Sequence, residues 1–208
     1  MAITTLNLRA FNRSDTASSG EVVTATSATA MDFQSAGGAW NLLKTVTASS
    51  ASDATFVHGT GGVDLTTYKM YKITGTDIDA GTDDVSLRIL FSDDTGSSYE
   101  TSNYETTFNY TNYGGSPASS GDTGAAMVMN DIGNASGEVG GFECTFPNLA
   151  NTSLNKACWF IGATQSNGGS LRTFRGAGLW KSTADVDALQ FKMSSGTFSG
   201  TLKLYGIS

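Results

Sequence analysis

A chain of 208 residues, 39% apolar and only 15% charged, holds enough apolar area for one sizeable core but too little charge for the exposed faces of a helical protein. Its formal charge of −7 excludes the phosphate-neutralising surface of a nucleic-acid-binding protein, and no apolar run approaches the length of a membrane-spanning helix. Twenty-five glycines against two prolines, with a polar complement of mostly Ser, Thr and Asn, suit sheets and turns, so the expected class is all-β.

Residues 1–38 are rich in Thr, Ser and Ala, and their apolar residues are scattered: Leu6, Leu8, Phe11, Val22, Val23 and Phe33 among them. Two readings stand: leading strands of the main sandwich, or an extended arm that docks these apolar side chains on a neighbouring subunit. Gly37-Gly38 then marks a hinge before a sandwich formed by residues 39–208. Strands are expected at Trp40–Thr47, Ala54–His58, Tyr68–Thr74 and Val85–Phe91, separated by stretches of turn chemistry. Tyr104–Tyr110 follows, and the Gly/Ser-rich stretch Asn112–Gly124 reads as an exposed loop. Ala126–Asn130, Val139–Phe146, Ala157–Thr164, Leu171–Leu179, Ala188–Met193 and Thr201–Ile207 complete the set. Many short strands at close intervals, with no helical period, point to a sandwich or barrel. Alternation and clustering put Leu87, Ile89, Phe91, Phe142, Phe146, Phe160, Leu189, Phe191 and Met193 in the core.

The residues that carry chemistry are sparse. His58 is the sole histidine, which removes multi-histidine metal sites and leaves it as a polar strand end. Asp77, Asp79, Asp83, Asp84, Asp93 and Asp94 could offer oxygen ligands to calcium, but their spacing fits no EF-hand and Asp is favoured in turns anyway. No pair of carboxylates is marked as a glycosidase dyad, and neither a catalytic set, a metal nor a cofactor is expected. Tyr104, Tyr110, Asn112 and Tyr113 lie along one strand and into the Gly/Ser stretch; they read either as a sugar-stacking surface or as core and rim of a strand pair. If Phe142–Phe146 and Lys156–Ile161 form a hairpin centred on Asn151, Cys144 lies opposite Cys158 on one face. Met1–Ala10 has no basic cluster followed by an apolar core, so synthesis in a cytoplasm and reduced thiols are expected.

Three stretches together carry a family resemblance: Tyr68–Ile78 (YKMYKITGTDI), Leu87–Tyr99 (LRILFSDDTGSSY) and the ending Gly200–Ser208 (GTLKLYGIS). In this order they resemble the jelly-roll-like structural proteins of tailed-bacteriophage virions, over roughly residues 40–208. The resemblance implies a jelly-roll-like antiparallel β-sandwich in a virion component, made in the host cytoplasm and commonly a homotrimer, with no catalytic residues. The expected role is non-enzymatic: a capsid decoration or cement protein that stabilises the shell by binding the major capsid protein. The alternative is a tail or tail-fibre protein that binds a host-surface glycan or protein receptor. The short chain, without fibre repeats or coiled-coil heptads, favours decoration.

Overall fold

A computed structural model describes residues 21–25, 31–35 and 40–207. The chain divides into two compact units, Met1–Ala39 and Trp40–Ser208. In the first, β1 (Glu21–Ala25) and β2 (Met31–Ser35) pair antiparallel as a sheet of their own, with Val23 opposite Phe33 and Val22 opposite Gln34. Leu6, Leu8 and Phe11 lie outside the described residues.

The second unit is an antiparallel β-sandwich, and no helix occurs among the described residues. Its strands are β3 (Trp40–Ala51), β4 (Asp53–Val57), β5 (Met70–Ala80), β6 (Val85–Ser92), β7 (Tyr104–Asn112) and β8 (Ala118–Asp122). β9 (Ala126–Ile132), β10 (Gly140–Pro147), β11 (Lys156–Gln165), β12 (Leu171–Trp180), β13 (Ala188–Met193) and β14 (Phe198–Ile207) follow. One sheet has eight strands in the order β3-β14-β5-β10-β11-β12-β7-β8; the other has four, β4-β13-β6-β9. The pairings nest: β3 pairs with β14, β4 with β13, β5 with β10 and β6 with β9, as in one long hairpin rolled over on itself. The hairpins β7-β8 and β11-β12 are inserted within it and widen the larger sheet.

All nine side chains expected in the core are buried. The two sheets meet through aromatic rings: Phe142 stacks on Phe191 at 5.7 Å, and Phe91 touches Tyr104, Phe146 and Trp180 at about 6 Å. One inward row crosses the whole large sheet: Val46, Leu202, Gly75, Phe142, Gly162, Phe174, Tyr110 and Ala118. Glycine alternates with phenylalanine at its centre because each ring lies down over the neighbouring glycine. A Cβ on Gly75 would stand 2.2 Å from the Phe142 ring, and one on Gly162 would stand 2.5 Å from that of Phe174.

The Gly/Ser stretch differs from expectation, because Ala118–Asp122 is a strand and not part of a loop. It has no apolar face; its pairing with β7 is made by backbone hydrogen bonds, which need no particular side chain. Cys144 and Cys158 do sit on adjacent antiparallel strands, both free, both buried on the inward face. The register, however, places Cys144 opposite Phe160, two residues from the expected pairing. The turn runs past Asn151: its side chain accepts the Ser153 and Leu154 amides, while Lys156 Nζ donates to the Asn151 and Leu154 carbonyls. A slip of two leaves each side chain on its original face, which is why both thiols still point inward. Burial, then the adjacent Cys158 thiol, push the Cys144 thiol well above its usual range, so it stays protonated.

Substituting Gly75→Ala should cost about 1–3 kcal/mol, because the Phe142 ring must leave its position. In a Phe142→Ala background the same change should cost less than half as much, as read by a double-mutant cycle of urea unfolding. Equal costs in both backgrounds would show that the ring and the glycine are not coupled. Phe191→Ala should cost about 3–5 kcal/mol, read the same way.

Candidate functional site

The four residues read either as a sugar-stacking surface or as core and rim of a strand pair are divided between core and solvent. Tyr104 is buried at 2% exposure, its hydroxyl accepts the Phe91 amide at 2.8 Å, and its ring stacks on Trp180. Burial raises its hydroxyl pKa well above the usual value, so it is a neutral core residue. Tyr110 lies in the inward row, half-buried, with the Arg172 guanidinium 4.5 Å from its ring centre. Asn112 accepts Arg172 Nε at 2.7 Å. Tyr113 alone is open, at 84% exposure, in the turn that leaves β7.

Arg172 organises that end of the sheet. Almost fully buried, it also reaches Asn130 Oδ1 at 3.2 Å and the Asp131 carboxylate at 2.5 Å. Burial pushes the Asp131 carboxyl above its ordinary value, Arg172 pulls it back, and the Asp84 carboxyl beside it pushes it up again. The net direction is up, so burial outweighs the ion pair. Asp84 and Asp131 both hold positive φ, 54° each, at neighbouring ends of β6 and β9.

The remaining acidic turns serve the backbone. Asp94 accepts the Ser98 amide and hydroxyl and the Ser92 hydroxyl, which hold its carboxyl down at about 2. Asp64 caps Thr66 and Thr67, and His58 Nδ1 accepts the Leu65 amide at 3.1 Å. Among the described residues, no three of His, Cys, Asp and Glu come together at metal-binding distance.

The outer face of the eight-stranded sheet is where accessible side chains converge. One row runs Leu42, Tyr205, Lys72, Thr145, Trp159, Ala177, Thr107 and Gly121, with Leu42 55% and Trp159 46% exposed. At its β3 end Trp40 meets Tyr205 edge-on, and Lys72 lies 4.2 Å over the Trp40 ring. The next row runs Glu143, Ile161, Arg175, Asn109 and Ser119. Its centre forms a groove of about 620 Å³ across β11, β12 and β7, lined also by Thr173, Thr111 and Pro117. No family model, curated protein or solved structure matches this chain.

Reading strands one at a time missed Ile161 and Arg175 as groove residues. Arg175 alternates with the buried Phe174, a signal that it faces outward. Its neighbours Ile161 and Asn109 come from strands paired across long stretches of sequence, and only the register brings the three together.

Replacing Arg172 with Met should cost about 3–5 kcal/mol, since Asp131 is left without its cation in a largely buried place. The pH dependence of Asp131 has a definite sign. Its folded pKa is raised, so its contribution is in full below the ordinary value near 3.8 and is lost as pH rises through the folded pKa. An asparagine side chain does not titrate, so Asp131→Asn should gain stability relative to the parent as pH rises from about 3 to about 6. Urea unfolding at three pH values in that interval reads the slope; a relative loss would reverse the assigned direction.

Proposed function

We propose that this chain is a non-enzymatic structural protein of a tailed-bacteriophage virion, a capsid decoration or cement protein acting as a homotrimer. The observation that carries the reading is the nested pairing of eight strands, β3·β14, β4·β13, β5·β10 and β6·β9, split four and four between two sheets. That is the order in which a jelly roll is wound, and it agrees with the family resemblance. The three resembling stretches fall on β5, on β6 with the turn after it, and on β14. Function on such a scaffold sits on its surfaces. Trp40 and Leu42 on edge strand β3 give an exposed apolar surface suited to a neighbouring protein subunit. Cement proteins need no chemistry: binding only the assembled shell stabilises it by mass action.

A second reading, a tail or tail-fibre protein that recognises a host-surface glycan or protein, is favoured by the Arg175 groove and the exposed Tyr113. Mass-spectrometric stoichiometry of purified virions separates the two. Hundreds of copies per particle are expected for decoration, a few to tens for a tail component, and none overturns both. Light scattering on the purified chain should give three times its 21.6 kDa. Trp40→Ser with Leu42→Ser should abolish attachment to particles stripped of this protein while leaving the unfolding midpoint unchanged. Unimpaired attachment would remove β3 as the docking edge.

A further inference from the structure

We infer that the groove across β11, β12 and β7 binds a carboxylate-bearing saccharide, gripped by Arg175. The chain carries 19 acidic against 12 basic residues, and its described arginines differ in whether a carboxylate faces them. Arg88 pairs with Asp122 and Arg172 with Asp131. Alone among the described arginines, Arg175 has neither a carboxylate nor a hydrogen-bond partner. The acids nearest along this face are occupied: Glu143 holds Lys72 at 2.8 Å, and Glu105 holds Lys181. The neighbours of Arg175 across the strands, Ile161 and Asn109, are neutral, as are Thr173 and Ala177 on its own strand. An exposed guanidinium ringed by neutral groups on an acidic protein is a site for one negative charge, and its fork of donors suits a carboxylate.

The rest of the lining selects the remainder of the ligand. A polyphosphate or nucleic acid needs several cations in register, and this groove holds one. Asn109, Thr111 and Thr173 offer amide and hydroxyl groups, which match sugar hydroxyls as both donors and acceptors. Ile161, 57% exposed, and Pro117 give apolar surface against which the C–H face of a pyranose packs. Trp159 projects from the same face, diagonal to Arg175 on the adjacent strand, at about 7–8 Å between Cα atoms. A sugar ring stacked on Trp159 or Ile161 thus brings its carboxylate within reach of Arg175. The groove volume of about 620 Å³ lies within the range of ligand-binding clefts.

The inference deepens the surface-recognition reading and rests on it. Its test uses only the purified full chain, so its failure leaves that reading to the copy-number measurement. The probes are sialyllactose against lactose, and trigalacturonate against its methyl ester, titrated by calorimetry and by NMR shift, with acetate and inorganic phosphate alone as further titrants. At least one acidic saccharide should bind with a Kd of about 5 mM or tighter, and at least about tenfold tighter than its neutral counterpart. Arg175→Met should abolish that preference with an unchanged unfolding midpoint, Arg175→Lys should keep part of it, and Trp159→Ala should weaken acidic and neutral saccharides alike. The proposal is overturned if neither acidic saccharide binds by about 20 mM, or if the preference survives Arg175→Met. It is equally overturned if acetate or phosphate alone binds as tightly as the trisaccharides.

Discussion

The sandwich depends on how closely its sheets can approach, and glycine sets that distance. In the central inward row, Phe142 lies over Gly75 and Phe174 over Gly162, so large and small residues alternate from strand to strand. A row of eight large side chains would hold the sheets apart; a row of small ones would leave a void. With its ring lying flat, Phe142 meets Phe191 of the opposite sheet face to face, and the neighbouring rings pack at the spacing this contact sets. The high glycine content, which by composition alone suggests only turns, is thus partly a packing device of the core.

The same scarcity of large side chains separates the two faces of the large sheet. The inward face gathers its aromatics around Phe91, and Tyr104 is drawn into that cluster because its hydroxyl satisfies the Phe91 amide. The outward face is left with two lysine–glutamate pairs, the exposed Lys203, two exposed tryptophans and one arginine without a carboxylate partner.

Alternation made most of the scaffold legible in the sequence. Leu87, Ile89 and Phe91, and Leu189, Phe191 and Met193, occupy the inward positions that a period of two assigns them. What escaped was whatever depends on backbone or register. β8 has no apolar face to announce it, the Cys144 strand is offset by two because the Asn151 turn is longer than its centre suggests, and Tyr104 has the same composition in a core as on a rim. The groove around Arg175 is the extreme case. Ile161, Arg175 and Asn109 are neighbours only through two strand pairings, and no local pattern encodes an ion that lacks a partner.

Nested pairing also governs the order in which such a chain can close. Trp40 pairs with Ile207, at opposite ends of the sandwich sequence, and joining them directly would close a very long loop. If β6 and β9 meet first, each inner pair brings the ends of the next within a short span, and closure proceeds outward like a zip. The outermost pair, β3 with β14, then forms last and opens first. Folding of this topology is accordingly slow, dominated by contacts distant in sequence. The edge that carries Trp40 and Leu42 is the part of the sandwich that a partner holding β3 in place would protect most against local opening.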